Sequence, residues 1–461
     1  MGIPFYYSNL IKQYPRISRN NLTNISVETL YLDYNGIIHP VLHKYLADVT
    51  KMVEVDFFDF LWKYTLEIVK SISPKNVIIC VDGVAPLAKI IQQRKRRYVS
   101  SLEKKMVVSI FDTNNITCGT PFMERLCDYI QDKCSKNSSV INFTFDRENG
   151  EGEHKIFDYI HNKPDEIVVI HGLDADLILL SLMSVCNRIY LARENYNRTT
   201  FIDIRYLREI IIQDFQNIRS YVVLYTLLGN DFIPHPITIN LGVSSAMNRL
   251  KQLHDKHGLL VDHDGNIDHG NLTSILLELA ITEDDDIMNL FNCNDDQDAI
   301  LLKKSTNWRK TYYNDIIFAK DPQMISVKFL EGIYWTYNYY NKKKPVINHS
   351  WFYPYYGPPT MRDLANICMT AKNFTPVINA NDPVLSYIPK EIKLLIAIPK
   401  TSKDVLPEKL QSYMIDHSLG LTYMYPDSFR MIKLFKKHDW EHIPILPLID
   451  IKYIKRLLRD C

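Results

Sequence analysis

Apolar residues in the first 200 positions follow two patterns, short continuous runs and longer amphipathic stretches. The runs at residues 29–32, 76–81 and 167–170 are typical of buried β-strands. The stretches at residues 56–72 and 87–98 repeat their apolar residues at helical spacing. Strands that alternate with helices favour a parallel sheet that is covered on both faces. The sequence therefore predicts an α/β fold with a mostly parallel sheet and flanking helices.

The pattern changes along the rest of the chain. Further helices are predicted over residues 121–134 and 154–162, and a further strand over 140–145. Residues 241–310 predict more helices, and the acidic run Glu283-Asp284-Asp285-Asp286 within them predicts an exposed loop. Aromatic residues are dense at 334–340 and 351–356, at spacings more typical of a core than of a ligand platform. The chain ends in a predicted basic helix.

Composition limits the classes of protein that remain. The 461 residues are 46% hydrophobic and 23% charged, as expected of a soluble globular protein of two or three domains. Lys plus Arg (54) balances Asp plus Glu (53), so nucleic-acid affinity requires local patches. No apolar run has the length of a membrane span, and the N-terminus has no signal-peptide pattern. The eight cysteines form no Cys-x-x-Cys pair, which predicts a reducing, cytoplasmic location with the nucleus as the alternative.

Carboxylates stand at the ends of the predicted strands and at structural breaks. The candidate metal ligands are seven acids: Asp33, Asp82, Glu151, Glu153, Asp174, Asp176 and Asp231. Open α/β sheets bind their ligands at the carboxyl ends of strands, although a single Asp there can also close an ordinary turn. Clustered carboxylates repel one another strongly unless divalent cations neutralise them. We therefore predict a metal-dependent phosphoryl-transfer site.

A basic stripe begins just after Asp82. Four residues at i, i+4, i+7 and i+8 share one face of the predicted helix: Lys89, Gln93, Arg96 and Arg97. Arg offers paired donors that match phosphate oxygens, so this face predicts an anion site beside the acids. Arg94 and Lys95 are predicted to lie on a solvated face. A nuclear-localisation patch is the alternative explanation of these charges.

With these segments side by side, the chain resembles the XRN family of 5′→3′ exoribonucleases. The matching segments, in order and approximate spacing, are Met1-Gly2-Ile3-Pro4, 32–39, 81–86, Gln92-Gln93-Arg94, 150–155, 172–176 and 228–232. Segments at 307–313, 334–340, 351–353 and 440–450 extend the resemblance over nearly the whole chain. The chain has no room for the long C-terminal extension of the large cytoplasmic members, so we expect a compact version.

The resemblance implies three regions and an activity. Residues 1–240 would form a nuclease core similar to the PIN-like and flap-endonuclease families. Residues 241–325 would be a helical connection, and residues 326–461 a mainly helical, aromatic-rich second conserved region that closes the pocket. The implied activity is processive 5′→3′ degradation of single-stranded RNA with a 5′-monophosphate to nucleoside 5′-monophosphates, in RNA decay and in mRNA turnover after decapping.

The resemblance also implies residue roles. The seven acids would hold two Mg²⁺ or Mn²⁺ ions, with Asn35 and Asn230 as supporting residues. The pocket for the 5′-phosphate would be formed by Lys89, Gln93, Arg96 and Arg97. His39 would stack on the first base, and Pro86 would help to exclude duplex.

One segment departs from the family pattern. Where the family commonly has two tryptophans around a serine, this chain has His349-Ser350-Trp351. Trp351 is the favoured partner of His39 in the base stack, and His349 is the alternative ring. A third possibility is that Trp351 is only a core residue.

Two other functions share part of this pattern. A structure-specific flap endonuclease has the same kind of acidic core but cuts branched DNA internally. A catalytically inactive RNA-binding relative would usually have lost some of the acids. The expected partner is single-stranded RNA with a 5′-monophosphate, and the decapping machinery is a candidate partner of a monomeric protein without membrane contact. No residue distinguishes RNA from DNA through a nameable 2′-OH contact, so the RNA preference rests on the resemblance.

Overall fold

The computed structural model describes residues 6–104, 110–137, 141–195, 198–239, 243–341, 347–371, 388–436 and 438–458. The Met1-Gly2-Ile3-Pro4 segment and Val140 lie outside these ranges. The chain forms two compact units, each assembled from three stretches. The helical unit comprises Met1–Gln13, Arg208–Ser386 and Ser428–Leu448, and the sheet unit comprises Tyr14–Leu207, Tyr387–Asp427 and Ile449–Cys461. The division at residues 240 and 325 predicted from the sequence stays a prediction.

The sheet unit contains a seven-stranded sheet in the order β1-β7-β6-β5-β2-β3-β4. Its strands are β1 (Ser18–Arg19), β2 (Thr29–Asp33), β3 (Asn76–Cys80), β4 (Asn142–Asp146), β5 (Ile167–His171), β6 (Arg188–Asn195) and β7 (Arg198–Asp203). The neighbours from β6 to β4 pair in parallel, whereas β7 and β1 add an antiparallel edge. The prediction of a mostly parallel sheet is confirmed.

Helices make up most of the remaining described chain. They are α1 (Tyr6–Gln13), α2 (Asn35–Ala47), α3 (Glu54–Ile72), α4 (Leu87–Lys104), α5 (Pro121–Asn137), α6 (Gly152–Ile160), α7 (Asp176–Met183), α8 (Ile204–Phe215), α9 (Ile218–Leu227), α10 (Val243–His257), α11 (His269–Ile281), α12 (Glu283–Cys293), α13 (Gln297–Lys303), α14 (Trp308–Thr311), α15 (Pro322–Tyr340), α16 (Met361–Thr370), α17 (Lys390–Ala397), α18 (Glu408–Ile415) and α19 (Ile451–Leu457). A short antiparallel pair, β8 (Met431–Ile432) and β9 (Ile443–Pro444), belongs to the helical unit. Among the described residues, no helix combines the length and apolarity needed to cross a bilayer.

Both faces of the central strand β2 are covered, as the continuous apolar run predicts. Leu30 and Leu32 point into a cluster with side chains of α2, α3 and α5, including Phe57 and Phe122. Tyr31 lies on the opposite face, where its ring is 6.4 Å from the ring of Tyr159 on α6. Burial on both faces fixes the strand, and with it the position of the residues at its carboxyl end.

The acidic run at residues 283–286 is not an exposed loop, so that prediction is wrong. These residues form the first turn of α12. Carboxylates are stabilised there by the free N–H groups of a helix N-terminus. Glu283 is wholly buried and accepts hydrogen bonds from Arg309 (3.0 Å) and from the backbone N–H of Met361. Charge neutralisation by a distant arginine was not visible in the local sequence.

The aromatic residues of α15 form a core within the helical unit. Trp335 stacks on Tyr339 and on Trp351, with ring centroids 5.3 and 5.1 Å apart. Phe232 packs edge-on against the rings of Trp335 and Tyr339. Trp335 and Tyr339 are almost fully buried. The prediction that these spacings indicate core packing is confirmed for this part of the chain.

Candidate metal and phosphate site

Three of the predicted acids come together at one edge of the sheet. Asp33 is the last residue of β2, which lies between β3 and β5. Asp82 follows β3 by two residues, and Asp174 follows β5 by three. The carboxyl ends of parallel neighbours lie side by side. Burial and the charges of Asp82 and Asp174 raise the pKa of Asp33 well above its usual value, as expected of carboxylates that share a buried site.

The remaining acids of the sheet unit stand at two helix N-termini. Glu151 immediately precedes α6 and Glu153 lies in its first turn, while Asp176 begins α7. Ligand oxygens of Glu153, Asp174 and Asp176 lie within 4.8 Å of one another. Burial, Asp176, Asp174 and Glu151 raise the pKa of Glu153 well above its usual value. These carboxylates are hard oxygen donors in the number that Mg²⁺ or Mn²⁺ requires, so the donor set fits such an ion.

Gly152 and Asn35 hold the loops that carry the acids close to one another. A Cβ on Gly152 would lie 2.9 Å from the carbonyl oxygen of Cys80 and 3.2 Å from Oδ1 of Asp33. The backbone N–H of Gly152 donates to Oδ1 of Asp82 (2.7 Å), and the N–H of Asp82 donates to Oδ1 of Asn35 (3.0 Å). Asn35 therefore holds the backbone that presents Asp82, in line with its predicted supporting role.

Lys155 connects the carboxyl ends of β3 and β4 through hydrogen bonds to Val81 and Asp146. Its buried ammonium donates to the carbonyl oxygens of Val81 (2.8 Å) and Asp146 (3.4 Å) and pairs with Oδ1 of Asp146 (3.0 Å). Three acceptors match the three donors of an ammonium group. Lys155 belongs to the sequence motif at 150–155, but sequence reasoning assigned it no role.

We expect Lys155→Met to lower the free energy of unfolding by about 3 kcal/mol, because it leaves buried acceptors and a carboxylate without their cation. Urea titration followed by circular dichroism measures this value. Lys136→Met is the matched control, since Lys136 is exposed and pairs with the exposed Asp132 one turn away, and it should change the value by less than about 0.5 kcal/mol. A loss below about 1 kcal/mol for Lys155→Met would contradict the tethering role.

The basic face of α4 lies beside the acids. Nζ of Lys89 is 3.4 Å from Oε2 of Glu151 and 3.8 Å from Oδ2 of Asp176. One helical turn further on, Oε1 of Gln93 is buried without a hydrogen-bond partner among the described residues. Arg97 donates through Nη2 to the hydroxyl of Thr117 (2.8 Å), while its Nη1 is likewise buried without a partner. Buried polar atoms left in this state are typical of a site that receives a polar ligand.

Arg94 is not solvated, which corrects one prediction. It is 3% exposed and donates through Nη2 to the carbonyl oxygen of Met424 (2.6 Å), which also accepts from the hydroxyl of Tyr98 (3.2 Å). The acceptor is 330 residues away in sequence. Lys95 is partly exposed and Arg96 is exposed.

His39 and Pro86 flank the basic face in different ways. Burial, with Arg96, Arg97 and His43 nearby, lowers the pKa of His39 to about 4, so its ring is neutral at physiological pH. Pro86 is buried, and its carbonyl oxygen accepts from the first N–H groups of α4. The stacking role of His39 and the duplex-excluding role of Pro86 stay predictions.

Asp231 belongs to the helical unit and follows α9. Oδ1 of Asn230 accepts from the backbone N–H groups of Phe232 (2.8 Å) and Ile233 (3.2 Å), so Asn230 shapes the turn that presents Asp231. This agrees with a supporting role for Asn230. The assignment of Asp231 as a ligand stays a prediction.

The aromatics of residues 349–351 are also part of the helical unit. Trp351 is 9% exposed, stacks on Trp335 and donates through Nε1 to Glu331 (3.1 Å). His349 is more exposed than Trp351. The packing of Trp351 is that of a core residue, and the choice between the two rings as base-stacking partner stays a prediction.

Two further residues of the site were missed from the sequence. His154 has a ring nitrogen within 4.8 Å of ligand oxygens of Glu151 and Glu153. Lys393 on α17 is 2% exposed, and its ammonium lies near Asp82, Glu151 and Arg97. The available signals were the place of His154 in the 150–155 motif and the position of Lys393 among the apolar residues 392–397 of α17.

Two family profiles match the chain. The profile described as "XRN 5′-3′ exonuclease N-terminus" matches residues 1–195, and the one described as "Xrn1 helical domain" matches residues 271–461. The chain belongs to the XRN family. Both matches agree with the two parts of the fold, a sheet followed by a largely helical region.

Curated XRN proteins match along most or all of the chain. The human protein named 5′-3′ exoribonuclease 1 is 26% identical over 100% of this chain and 34% of its own length. The Schizosaccharomyces pombe protein of that name is 30% identical over 60% of this chain and 26% of its own. The 5′-3′ exoribonuclease 2 homolog of Drosophila melanogaster is 22% identical, over 99% and 71%. The chain thus spans about a third or less of the first two relatives.

Solved structures similar to this XRN chain include nucleases. The catalytic core of Rad2 in complex with a DNA substrate is 14% identical, with a TM-score of 0.40, over 81% of this chain and 96% of that one. A bacteriophage T5 flap endonuclease is 11% identical, with a TM-score of 0.32, over 50% and 76%. These TM-scores are low.

Proposed function

We propose that the chain is a metal-dependent 5′→3′ exoribonuclease that degrades single-stranded RNA from a 5′-monophosphate. The observation that carries this proposal is the junction between the acids and the basic face of α4, where Lys89 contacts both Glu151 and Asp176. Lys89 thus contacts the carboxylate cluster from the same helix face as Gln93 and Arg97, each of which has one buried polar atom without a partner among the described residues. This arrangement suits a substrate that carries a phosphate at each of the two places. Membership of the XRN family supports the same activity.

The acids would hold two divalent ions, Mg²⁺ or Mn²⁺. The raised pKa values of Asp33 and Glu153 reflect carboxylates that burial and their neighbours destabilise in the charged form, and a bound cation removes that penalty. When bound, such ions activate a water and stabilise the leaving oxygen of a phosphodiester. Asp231, which lies in the helical unit, is the seventh acid of the ligand set that the sequence predicts.

The basic face would grip the terminal phosphate. Burial and the neighbouring Arg96 lower the pKa of Arg97 to about 9, so its guanidinium is still charged at neutral pH. Nη1 of Arg97 is available to phosphate oxygens, and the exposed Arg96 adds charge at the entrance. Gln93 would contribute through its Nε2 donor, since its unpartnered buried atom, Oε1, is an acceptor and would bind a substrate hydroxyl. Because the grip acts on the phosphate alone, it places the first nucleotide without reading its base.

The neutral ring of His39 suits base stacking, which is worth roughly 1–3 kcal/mol per base and tolerates every base. Stacking without sequence preference supports processive degradation to nucleoside 5′-monophosphates.

We propose further that the protein acts as a monomer in the cytoplasm, in mRNA turnover after decapping. Single-stranded RNA with a 5′-monophosphate is its substrate, and the decapping machinery is a candidate partner.

Substrate ends test this function directly. We expect RNA with a 5′-monophosphate to be degraded at least about tenfold faster than RNA with a 5′-triphosphate, since one phosphate fills the donors of Arg97. Arg97→Ala should slow the monophosphate substrate by about 10–100-fold and remove most of the preference. The measurement is the decay of 3′-end-labelled RNA together with the nucleotides released.

Arg125→Ala is the control, because Arg125 lies in the same unit but pairs with Glu54 at the surface. It should leave rate and preference unchanged. Equal decay of mono- and triphosphorylated RNA by the wild-type protein would refute the phosphate pocket. Internal cuts in branched DNA would instead favour the flap-endonuclease alternative, and RNA binding without cleavage would favour an inactive relative.

A further inference from the structure

Lys393 carries a buried charge that the roles described above do not use. It lies on α17, which packs against α4 within the sheet unit. Its side chain is 2% exposed, and Nζ donates to the carbonyl oxygen of Gly83 (2.7 Å). Gly83 in turn donates its N–H to the carbonyl oxygen of Gly150 (2.7 Å). The ammonium is therefore anchored where the loop after β3 meets the loop that precedes Glu151.

The ammonium of Lys393 has more N–H donors than there are acceptor atoms bound to it among the described residues. The buried Lys155 meets three acceptor atoms, whereas Lys393 meets one among the described residues. An ammonium group has three N–H donors, and burying a charge without partners is costly. Two donors of Lys393 thus remain for a ligand.

The charges around Lys393 indicate what kind of ligand fits. Asp82, Glu151 and Arg97 all lie near enough to act electrostatically on the ammonium, and α17 packs against α4, which carries the basic face. Burial lowers the pKa of Lys393, and Arg97 lowers it further, while Cys118, Asp82 and Glu151 oppose the shift. An anion beside Arg97 would offset both the burial and the repulsion between the two cations.

We propose that Lys393 is a specificity-determining residue of the pocket and donates to the 5′-terminal phosphate together with Arg97. This inference rests on the proposed function, because it assigns one more contact to the same pocket. It also gives the segment 387–427 of the sheet unit a direct part in substrate selection. A purely structural lysine would only fix the carbonyl of Gly83.

The test compares two substrates that differ only in the terminal phosphate, RNA with a 5′-monophosphate and RNA with a 5′-hydroxyl. We expect Lys393→Met to raise KM for the phosphorylated RNA by about tenfold and to leave kcat and the hydroxyl substrate little changed. The ratio of kcat/KM between the substrates then falls about tenfold. Inhibition of the wild-type protein by adenosine 5′-monophosphate should weaken by a similar factor in the variant.

Three variants separate selection from folding. Lys393→Gln removes the charge but keeps a donor for the Gly83 carbonyl, and we expect it to be folded by circular dichroism and to lose selectivity as Lys393→Met does. Lys393→Arg keeps the charge and should retain part of the selectivity. Lys390→Met is the matched control, since Lys390 lies one turn earlier on α17 and pairs with the exposed Glu124. It should behave as the wild type.

Failures of the inference and of the proposed function give different results. If folded Lys393→Gln loses activity equally on both substrates, or keeps the wild-type ratio, Lys393 is structural and the inference is overturned. If the wild-type protein itself does not prefer the phosphorylated end, the proposed pocket fails before any variant is compared.

Discussion

Asp176→Ala is expected to abolish RNA cleavage while leaving RNA binding largely intact. Asp176 is 2% exposed, and one of its carboxylate oxygens lies within 4.8 Å of carboxylate oxygens of Glu153 and Asp174. Removing one ligand from a divalent-ion site costs several kcal/mol in the transition state, so we expect a loss of at least about 10³-fold. We expect RNA binding to be preserved, because the proposed function assigns it to the cations of α4. Asp174→Ala should act in the same way.

Single-turnover decay of labelled RNA measures cleavage, and filter binding measures affinity. Asp132→Ala, which removes an exposed acid paired with Lys136, is the control for loss of one negative charge. The metal-free Asp176→Ala protein should be at least as stable as the wild type, because the substitution relieves repulsion between buried carboxylates. Residual cleavage above about a tenth of the wild-type rate would show that Asp176 is not a ligand, since a lost ligand costs far more.

Removal of divalent ions is expected to have an equally large effect on cleavage and a measurable effect on stability. EDTA should abolish activity, and added Mg²⁺ or Mn²⁺ should restore it. Binding to the folded state alone raises Tm by mass action. We expect the rise in Tm on adding Mg²⁺ to be larger at pH 8 than at pH 5.5.

The sign follows from the raised pKa values of Asp33 and Glu153. Between the usual carboxyl pKa and the raised one, the folded metal-free protein binds more protons than the unfolded chain. Its stability therefore falls as pH rises through this window. An ion must also displace those protons, so it binds more tightly at high pH. Differential scanning fluorimetry at both pH values checks this, with Asp174→Ala as the variant that should lose the Mg²⁺-dependent rise. An equal rise at both pH values would contradict the assignment.

Much of the acid cluster could be predicted because it depends on local pattern and sheet geometry. An apolar run that ends in a carboxylate identifies a strand and its carboxyl end together. Parallel pairing then brings Asp33, Asp82 and Asp174 to one edge without further information. The spacing of Lys89, Gln93 and Arg97 likewise follows from helical periodicity.

The predictions that were wrong concern charged residues whose hydrogen-bond partners lie elsewhere in the sequence. Arg94 is buried because the carbonyl of Met424 accepts its hydrogen bond, and Glu283 because Arg309 neutralises it. Charge alone predicts exposure for both. The role of Lys393 could not be assigned for the same reason, since its acceptor at Gly83 lies 310 residues earlier.

That separation has a consequence for the timing of synthesis. A ribosome that adds 5–20 residues per second needs about 15–60 s to go from Gly83 to Lys393. The six acids of the sheet unit all precede residue 177, whereas α17 is synthesised much later. The loop at Gly83 and the acids are therefore synthesised before the lysine that binds the Gly83 carbonyl. If Lys393 contacts the terminal phosphate as we propose, a nascent chain can select 5′-phosphorylated ends fully only after α17 has been made.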